Sequence, residues 1–67
     1  MSIAKVTEII SASDKSFEDA VNKGIKRATG PLKKVVSARV QDQQVTVRNG
    51  KISAYRVNLK MTFILKN

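Results

Sequence analysis

The last third of the chain shows the most regular alternation of apolar and polar residues. Between Ile52 and Leu65, apolar side chains fall on one parity and mostly polar side chains on the other. The apolar set is Tyr55, Val57, Leu59, Met61, Phe63 and Leu65, and the polar set is Arg56, Asn58, Lys60 and Thr62. Because successive side chains of a strand point to opposite faces, this pattern predicts one long strand with one apolar face. At roughly 3.3 Å per residue it spans about 45 Å, which exceeds what so small a chain can cover alone.

A second strand is predicted from Val36 to Arg48. Asn49-Gly50 separates it from the last strand, and a type I′ turn needs positive φ at both of its central residues. We therefore expect an antiparallel hairpin about this dipeptide. The apolar parity of the second strand changes within Gln41–Gln44, which predicts a β-bulge or a sharp bend that inserts one residue there.

The first part of the chain predicts a strand followed by a polar turn. Ile3–Ile10 carries apolar residues on both parities, as expected of a strand that is covered on both faces. The polar residues 11–16 are predicted to form the turn. A sheet built from this strand would therefore have an outer face that also contacts something.

A helix is predicted to begin after Ser16, which is a suitable N-cap, with Asp19 completing a variant capping box. Apolar residues follow the i, i+3, i+4 spacing of one helix face; they are Phe17, Ala20, Val21, Ile25, Ala28 and Leu32. Gly24 lies on the same side, where another part of the chain can approach closely. Gly30-Pro31 should end or kink the helix near residue 29, with a short further turn through Lys34 as the alternative.

The predicted element order is β-α-β-β in a single α+β domain over residues 1–67. We expect a three-stranded antiparallel sheet that wraps around one helix. The chain has 67 residues and no Cys, so disulfides cannot compensate for its small core. Oligomerisation is the remaining means of stabilisation. Because no apolar run is long enough to span a membrane and no signal peptide is apparent, we expect a soluble, cytoplasmic protein.

The composition argues against an enzyme. The chain has no His and no Cys, and its five carboxylates are scattered, so no catalytic constellation can be assembled and a dedicated metal cage is not expected. The formal net charge of +8 favours anionic partners. A small basic nucleic-acid-binding protein is one alternative. However, the strands lack the paired exposed aromatic residues that RNA-binding sheets use for stacking, so a nucleic-acid partner is disfavoured.

Four segments of the sequence together resemble the dodecin family; they are Ile3–Ile10, Ser16–Ala20, Asn49–Ile52 and Tyr55–Phe63. The resemblance covers nearly the whole chain in the expected element order. It implies a β-α-β-β protomer whose sheet wraps its helix. It also implies a hollow homo-dodecamer built from trimers, which would supply cover for the long last strand.

The resemblance also implies a ligand. Many dodecins stack flavin rings between tryptophans at the start of the second strand and hydrogen-bond the ring edge with a glutamine on the third. Aligned from Asn49-Gly50, these positions hold Ser37 and Arg56 here, and the chain has no Trp. Serine offers no aromatic face. The sequence is instead similar to the tryptophan-less branch, some of which are described as calcium dodecins, through a small residue followed by Ala38-Arg39-Val40. Asp42 is the only acid in the last two strands, so the resemblance carries over no calcium site by residue, and a calcium-binding dodecin is kept as an alternative.

Three residues are therefore candidates for ligand binding. Arg56 would contact a ligand or an anion, or else form a salt bridge between subunits. Ser37 would line a pocket or fill the space of a lost ring. Gln44, like Gln43, would hydrogen-bond a polar ligand or satisfy the backbone of the bulge. The prediction is a small-molecule-binding storage dodecamer that sequesters its ligand, with flavin binding weakened or lost.

Basic residues gather on the polar face of the predicted helix and beyond its end. Lys23, Arg27 and Lys34 are candidates for binding an anion such as a phosphate group, together with Lys26 and Lys33. The alternative is a solvated helix face whose cations complement the helix dipole.

Overall fold

A computed structural model describes residues 3–30 and 34–65 of the chain. Strand β1 spans Ile3–Ser13, helix α1 Phe17–Ala28, strand β2 Lys34–Arg48 and strand β3 Lys51–Leu65. The sheet has the strand order β1-β3-β2, and the central β3 runs antiparallel to both neighbours. The predicted β-α-β-β fold with one helix and a three-stranded antiparallel sheet is therefore confirmed.

Strand β1 is longer than the sequence predicted. The predicted turn begins at residue 11, but Ser11, Ala12 and Ser13 continue β1. They pair with Val57, Arg56 and Tyr55 of β3. That part of the prediction is wrong because pairing with β3 overrides the weak strand preference of serine and alanine. Only Asp14, Lys15 and Ser16 connect the strand to the helix.

Helix α1 begins as expected but without the predicted capping box. The Ser16 hydroxyl accepts a hydrogen bond from the backbone N–H of Asp19 at 2.9 Å, so Ser16 is the N-cap. The Asp19 carboxylate instead accepts a hydrogen bond from the buried Ser13 hydroxyl at 2.5 Å and pairs with the Lys23 ammonium at 3.3 Å. The Ser13 hydrogen bond is the main reason that the pKa of Asp19 lies below its usual value.

The helix ends at the predicted place. Thr29 is the C-cap, and both its N–H and its hydroxyl donate to the carbonyl of Ile25, at 3.0 and 2.8 Å. The alternative of a further turn through Lys34 is wrong because Lys34 already begins β2. Pro31 and Leu32, the latter predicted on the apolar helix face, lie outside the described residues.

The hairpin between β2 and β3 has the predicted turn and bulge. Asn49 and Gly50 have φ values of 53° and 74°, as a type I′ turn requires. Val40 pairs with Leu59 and Asp42 with Asn58, so Gln41 is the inserted residue of the predicted bulge. Two further register shifts were not predicted; they leave Val36 and Ser53 without a partner in the pairing.

The core lies between α1 and the face of the sheet that it covers, which we call the inner face. Its buried residues are Ala20, Val57, Leu59, Met61 and Phe63, and Ile9, Phe17, Val21, Ile25, Ala28 and Val35 pack against them. Gly24 is buried where a Cβ atom would lie 2.9 Å from Leu59 Cδ1, so its lack of a side chain permits the close approach. The predicted parity of β3 is therefore confirmed for its buried residues.

The helix covers only part of the sheet. The described chain measures 52 Å in its longest dimension, whereas 12 residues of helix extend about 18 Å. Large apolar side chains that remain exposed include Ile3, Val6, Ile10, Val36, Val40, Val45, Val47 and Ile52. Apolar exposure on this scale is typical of a surface that contacts another molecule.

We expect Leu59→Ala and Phe63→Ala each to lower the free energy of unfolding by about 2–5 kcal/mol, as for other large buried side chains. Both residues lie in the core, with exposures of 0% and 7%. Urea denaturation at one fixed protein concentration would measure the change. Lys60→Ala, on the same strand but the opposite face, is the control with a small effect. A Leu59 or Phe63 variant as stable as the wild type would contradict the assigned faces.

Candidate ligand site on the outer face of the sheet

The outer face of the sheet, opposite α1, brings side chains from three strands together. Asn58 of β3 pairs with Ile10 of β1 on one side and with Asp42 of β2 on the other. In the next position along the sheet, Arg56 pairs with Gln44. These five side chains line a shallow pocket of about 80 Å³, which we call the outer-face pocket.

The bulge at Gln41 determines which residues of β2 reach this pocket. Before the bulge, Val40 shares the inner face with its partner Leu59. The extra residue shifts the alternation, so that Asp42 and Gln44 lie on the outer face opposite Asn58 and Arg56. The same insertion thus keeps valines on the inner face and moves polar side chains to the pocket.

Asn58 is held in one orientation by its neighbour on β1. Its Nδ2 donates a hydrogen bond to Glu8 Oε2 at 2.7 Å. Because an ionised carboxylate only accepts hydrogen bonds, the amide nitrogen must face Glu8. Its Oδ1 is buried and has no hydrogen-bond donor among the described residues. A buried acceptor without a donor costs about 1–3 kcal/mol, so this oxygen favours a bound group that donates to it.

The pocket combines donors and acceptors. The Arg56 guanidinium only donates, the Asp42 carboxylate accepts, and the Gln44 amide does both. The two formal charges at the pocket are opposite, and Ile10 adds an apolar wall with 64% of its surface exposed. The arrangement can hold a small polar molecule that carries both N–H and carbonyl or anionic groups.

The structure brings together two of the three predicted ligand-binding residues. Gln44 and Arg56 are cross-strand partners in the pocket, whereas Ser37 pairs with Thr62. Thr62 is six residues from Arg56 along β3, a separation of about 20 Å. Ser37 lies on the same outer face but far from the pocket. A site that contains all three positions would need more than one protomer.

The predicted anion-binding residues that the structure describes are divided between two surfaces, and Lys33 lies outside the described residues. Lys23 and Arg27 line an open concavity on α1 together with Lys26. Lys34 pairs with Ile64 at the start of β2, next to the inward-facing Val35, and so belongs to the outer face. The sheet therefore separates Lys34 from the cations of the helix.

Sequence reasoning missed three of the pocket residues, Ile10, Asp42 and Asn58, as members of a site. Asp42 stood out only as the single acid of the last two strands. The partner of Asp42 on β3 depends on where the extra residue of the bulge lies. The pairing of Ile10 with Asn58 joins distant parts of the chain, so local patterns do not predict it. The alternation of β3 did indicate that Asn58 and Arg56 share a face.

Two classes of feature are not found in residues 3–30 and 34–65. No three His, Cys, Asp or Glu side chains lie close enough together to hold a metal ion. Over the same ranges, no helix is both long and apolar enough to cross a membrane.

Comparison with known proteins gives consistent matches. The sequence profile of the family described as Dodecin matches residues 3–66. The "Calcium dodecin" of Mycobacterium tuberculosis is 32% identical over 66 residues, covering 98% of this chain and 93% of that protein. The fold is also similar to the solved dodecin of Streptomyces coelicolor, with a TM-score of 0.91, 26% identity, and coverage of 98% of this chain and 94% of that one. A dodecin from Streptomyces davaonensis matches with the same TM-score and identity, over 98% and 97% of the two chains.

Proposed function

Because this chain belongs to the dodecin family, we propose that it binds and stores a small molecule as a homo-dodecamer, with flavin stacking weakened or lost. The observation that carries the proposal is the outer-face pocket, where three strands place Arg56, Gln44, Asp42 and Asn58 around one small space. The buried Asn58 Oδ1 adds an acceptor that a ligand N–H would satisfy.

Assembly is supported by the apolar surface that the protomer leaves uncovered. Val40 and Val45 lie on the inner face beyond the helix with 44% and 38% exposure, and Val6 and Ile10 on the outer face with 59% and 64%. A protomer with both faces partly apolar gains stability when copies cover one another. A dodecamer is the assembly that the family resemblance implies.

We expect light scattering or sedimentation at micromolar concentration to give a mass near that of twelve protomers. Burial of the exposed valines and isoleucines between copies is the driving force. Lys60→Ala, which removes no apolar side chain, should leave the mass unchanged. A monodisperse monomer under these conditions would contradict the proposed assembly.

Flavin stacking requires an aromatic surface that this chain lacks at the corresponding position. Ser37 is exposed on the outer face and presents only a hydroxyl. Stacking on an aromatic side chain contributes about 1–3 kcal/mol per base in nucleic-acid complexes, a fair proxy for a flavin ring. If two protomers each lose one such face, binding weakens by about two to four powers of ten. Arg56 adds a second defect because it cannot accept a hydrogen bond from a ring N–H.

We therefore expect the wild type to quench flavin fluorescence little, and the double variant Ser37→Trp, Arg56→Gln to quench it measurably. The tryptophan restores a stacking face and the glutamine restores an acceptor. The double variant Asn22→Trp, Arg56→Gln, with the tryptophan at an exposed position of α1, controls for a nonspecific effect of an added indole. Tight quenching by the wild type would contradict the proposed loss, and no gain in the double variant would contradict the position of the site.

Calcium is a second ligand to test because of the name of the Mycobacterium tuberculosis relative. Calcium takes about six to eight oxygen ligands and favours carboxylates. The outer-face pocket supplies one carboxylate, from Asp42, with the amide oxygens of Asn58 and Gln44, and Arg56 adds an opposing positive charge. The residues of one protomer therefore do not fit a calcium site.

We expect millimolar calcium to leave the melting temperature of the wild type unchanged in differential scanning fluorimetry. Arg56 disfavours a cation next to Asp42 electrostatically. The comparison is with magnesium at the same ionic strength, which controls for general salt effects. A calcium-specific rise in melting temperature would contradict this expectation. If Asp42→Asn abolishes the rise and Glu18→Gln preserves it, calcium binds in the pocket.

A further inference from the structure

The hairpin of β2 and β3 extends beyond the rest of the protomer. Strand β1 ends at Ser13, which pairs with Tyr55. From there to the turn at Asn49-Gly50, β2 and β3 continue as a two-stranded ribbon. The four residue steps from Tyr55 to Lys51 extend it by about 13 Å. We call residues 46–53 the hairpin tip.

The hairpin tip carries side chains that an isolated ribbon does not favour. Val47 and Ile52 are cross-strand partners with exposures of 63% and 54%. Arg48 and Lys51, the next pair, place two positive charges opposite each other, and like charges at directly opposed positions are destabilising. Two strands without cover are at best marginally stable in water. The tip is therefore expected to be stabilised by a surface that is acidic and partly apolar.

A surface with these properties lies at the start of the helix, where Phe17 is only partly buried beside exposed acids. Asp14 and Glu18 are exposed, and neither forms an ion pair among the described residues. Asp19 differs because Ser13 and Lys23 engage its carboxylate. Lys15 lies in the same connection and partly offsets this negative charge. We call Asp14 and Glu18 the helix-start acids.

We propose that the hairpin tip of one protomer docks on the helix-start acids of a second copy, with Arg48 and Lys51 facing Asp14 and Glu18 and with Val47 and Ile52 covered by the contact. The occupant is a second copy because every copy carries exposed acids that complement the cations of the tip, and no cation of the tip lies within 4 Å of an acid of its own protomer among the residues that the structure describes. Each protomer carries both surfaces, so the contact repeats around a ring or is reciprocal between two copies. This inference rests on the proposed assembly and names one of its contacts.

The test exchanges the charges across the contact. Arg48→Glu with Lys51→Glu should weaken assembly about tenfold, because two favourable charge pairs become repulsive. Asp14→Lys with Glu18→Lys in the same chain should restore the wild-type dissociation concentration. Lys5→Glu with Lys26→Glu, exposed residues away from the tip, makes the same change in net charge and should have little effect. The measurement is the concentration at which the assembly dissociates in sedimentation velocity, with circular dichroism to verify that each variant folds.

The outcomes separate this contact from the assembly itself. Rescue by the fourfold exchange supports the contact, because a variant that failed only through net charge or misfolding would not recover. A wild-type oligomer whose dissociation the tip reversal does not alter overturns the contact and leaves the proposed assembly intact. Equal weakening by the tip reversal and by the Lys5, Lys26 control also overturns it. A wild type that is monomeric overturns the assembly, and the contact with it.

Discussion

The alternation of side chains along β3 is the constraint on which the rest of the structure depends. As the central strand, β3 packs Val57, Leu59 and Met61 against α1 on the inner face and presents Arg56 and Asn58 on the outer face. Core and candidate site are therefore built from adjacent residues of one strand. A shift of register by one residue would bury the charged side chains and expose the core, so the packing of the inner face also fixes the position of the site.

The neighbouring strands adapt to β3 in different ways. Strand β1 runs in continuous register with β3 over its full length, and through Glu8 it orients the amide of Asn58. Strand β2 shifts register three times, and the shift at Gln41 brings Asp42 and Gln44 into the pocket. In the pocket, the regular edge strand β1 thus orients the acceptor Oδ1 of Asn58, and the irregular edge strand β2 supplies the polar groups of Asp42 and Gln44.

Much of the fold could be predicted from local patterns, because alternation, capping and turn chemistry act over a few residues. Ser16, Asn49-Gly50 and the inner residues of β3 are of this kind. The extension of β1 through Ser13 could not, because it depends on pairing with β3 about forty residues away. The same limit applies to the site. The sequence identifies Arg56 and Gln44 as candidates, but the residues beside them depend on long-range register. The separation of Ser37 from Arg56 follows from the geometry of a single protomer.

The strand order β1-β3-β2 also affects how the chain folds as it is synthesised. Both edge strands form their sheet contacts with β3, which follows them in the sequence. While β1, α1 and β2 emerge from the ribosome, none of the sheet pairing is available to them. Their apolar residues have no β3 stripe to pack on until its residues have been added. Sheet formation is therefore delayed until β3 has been synthesised, and then it begins with the local hairpin before β1 closes the more distant pairing.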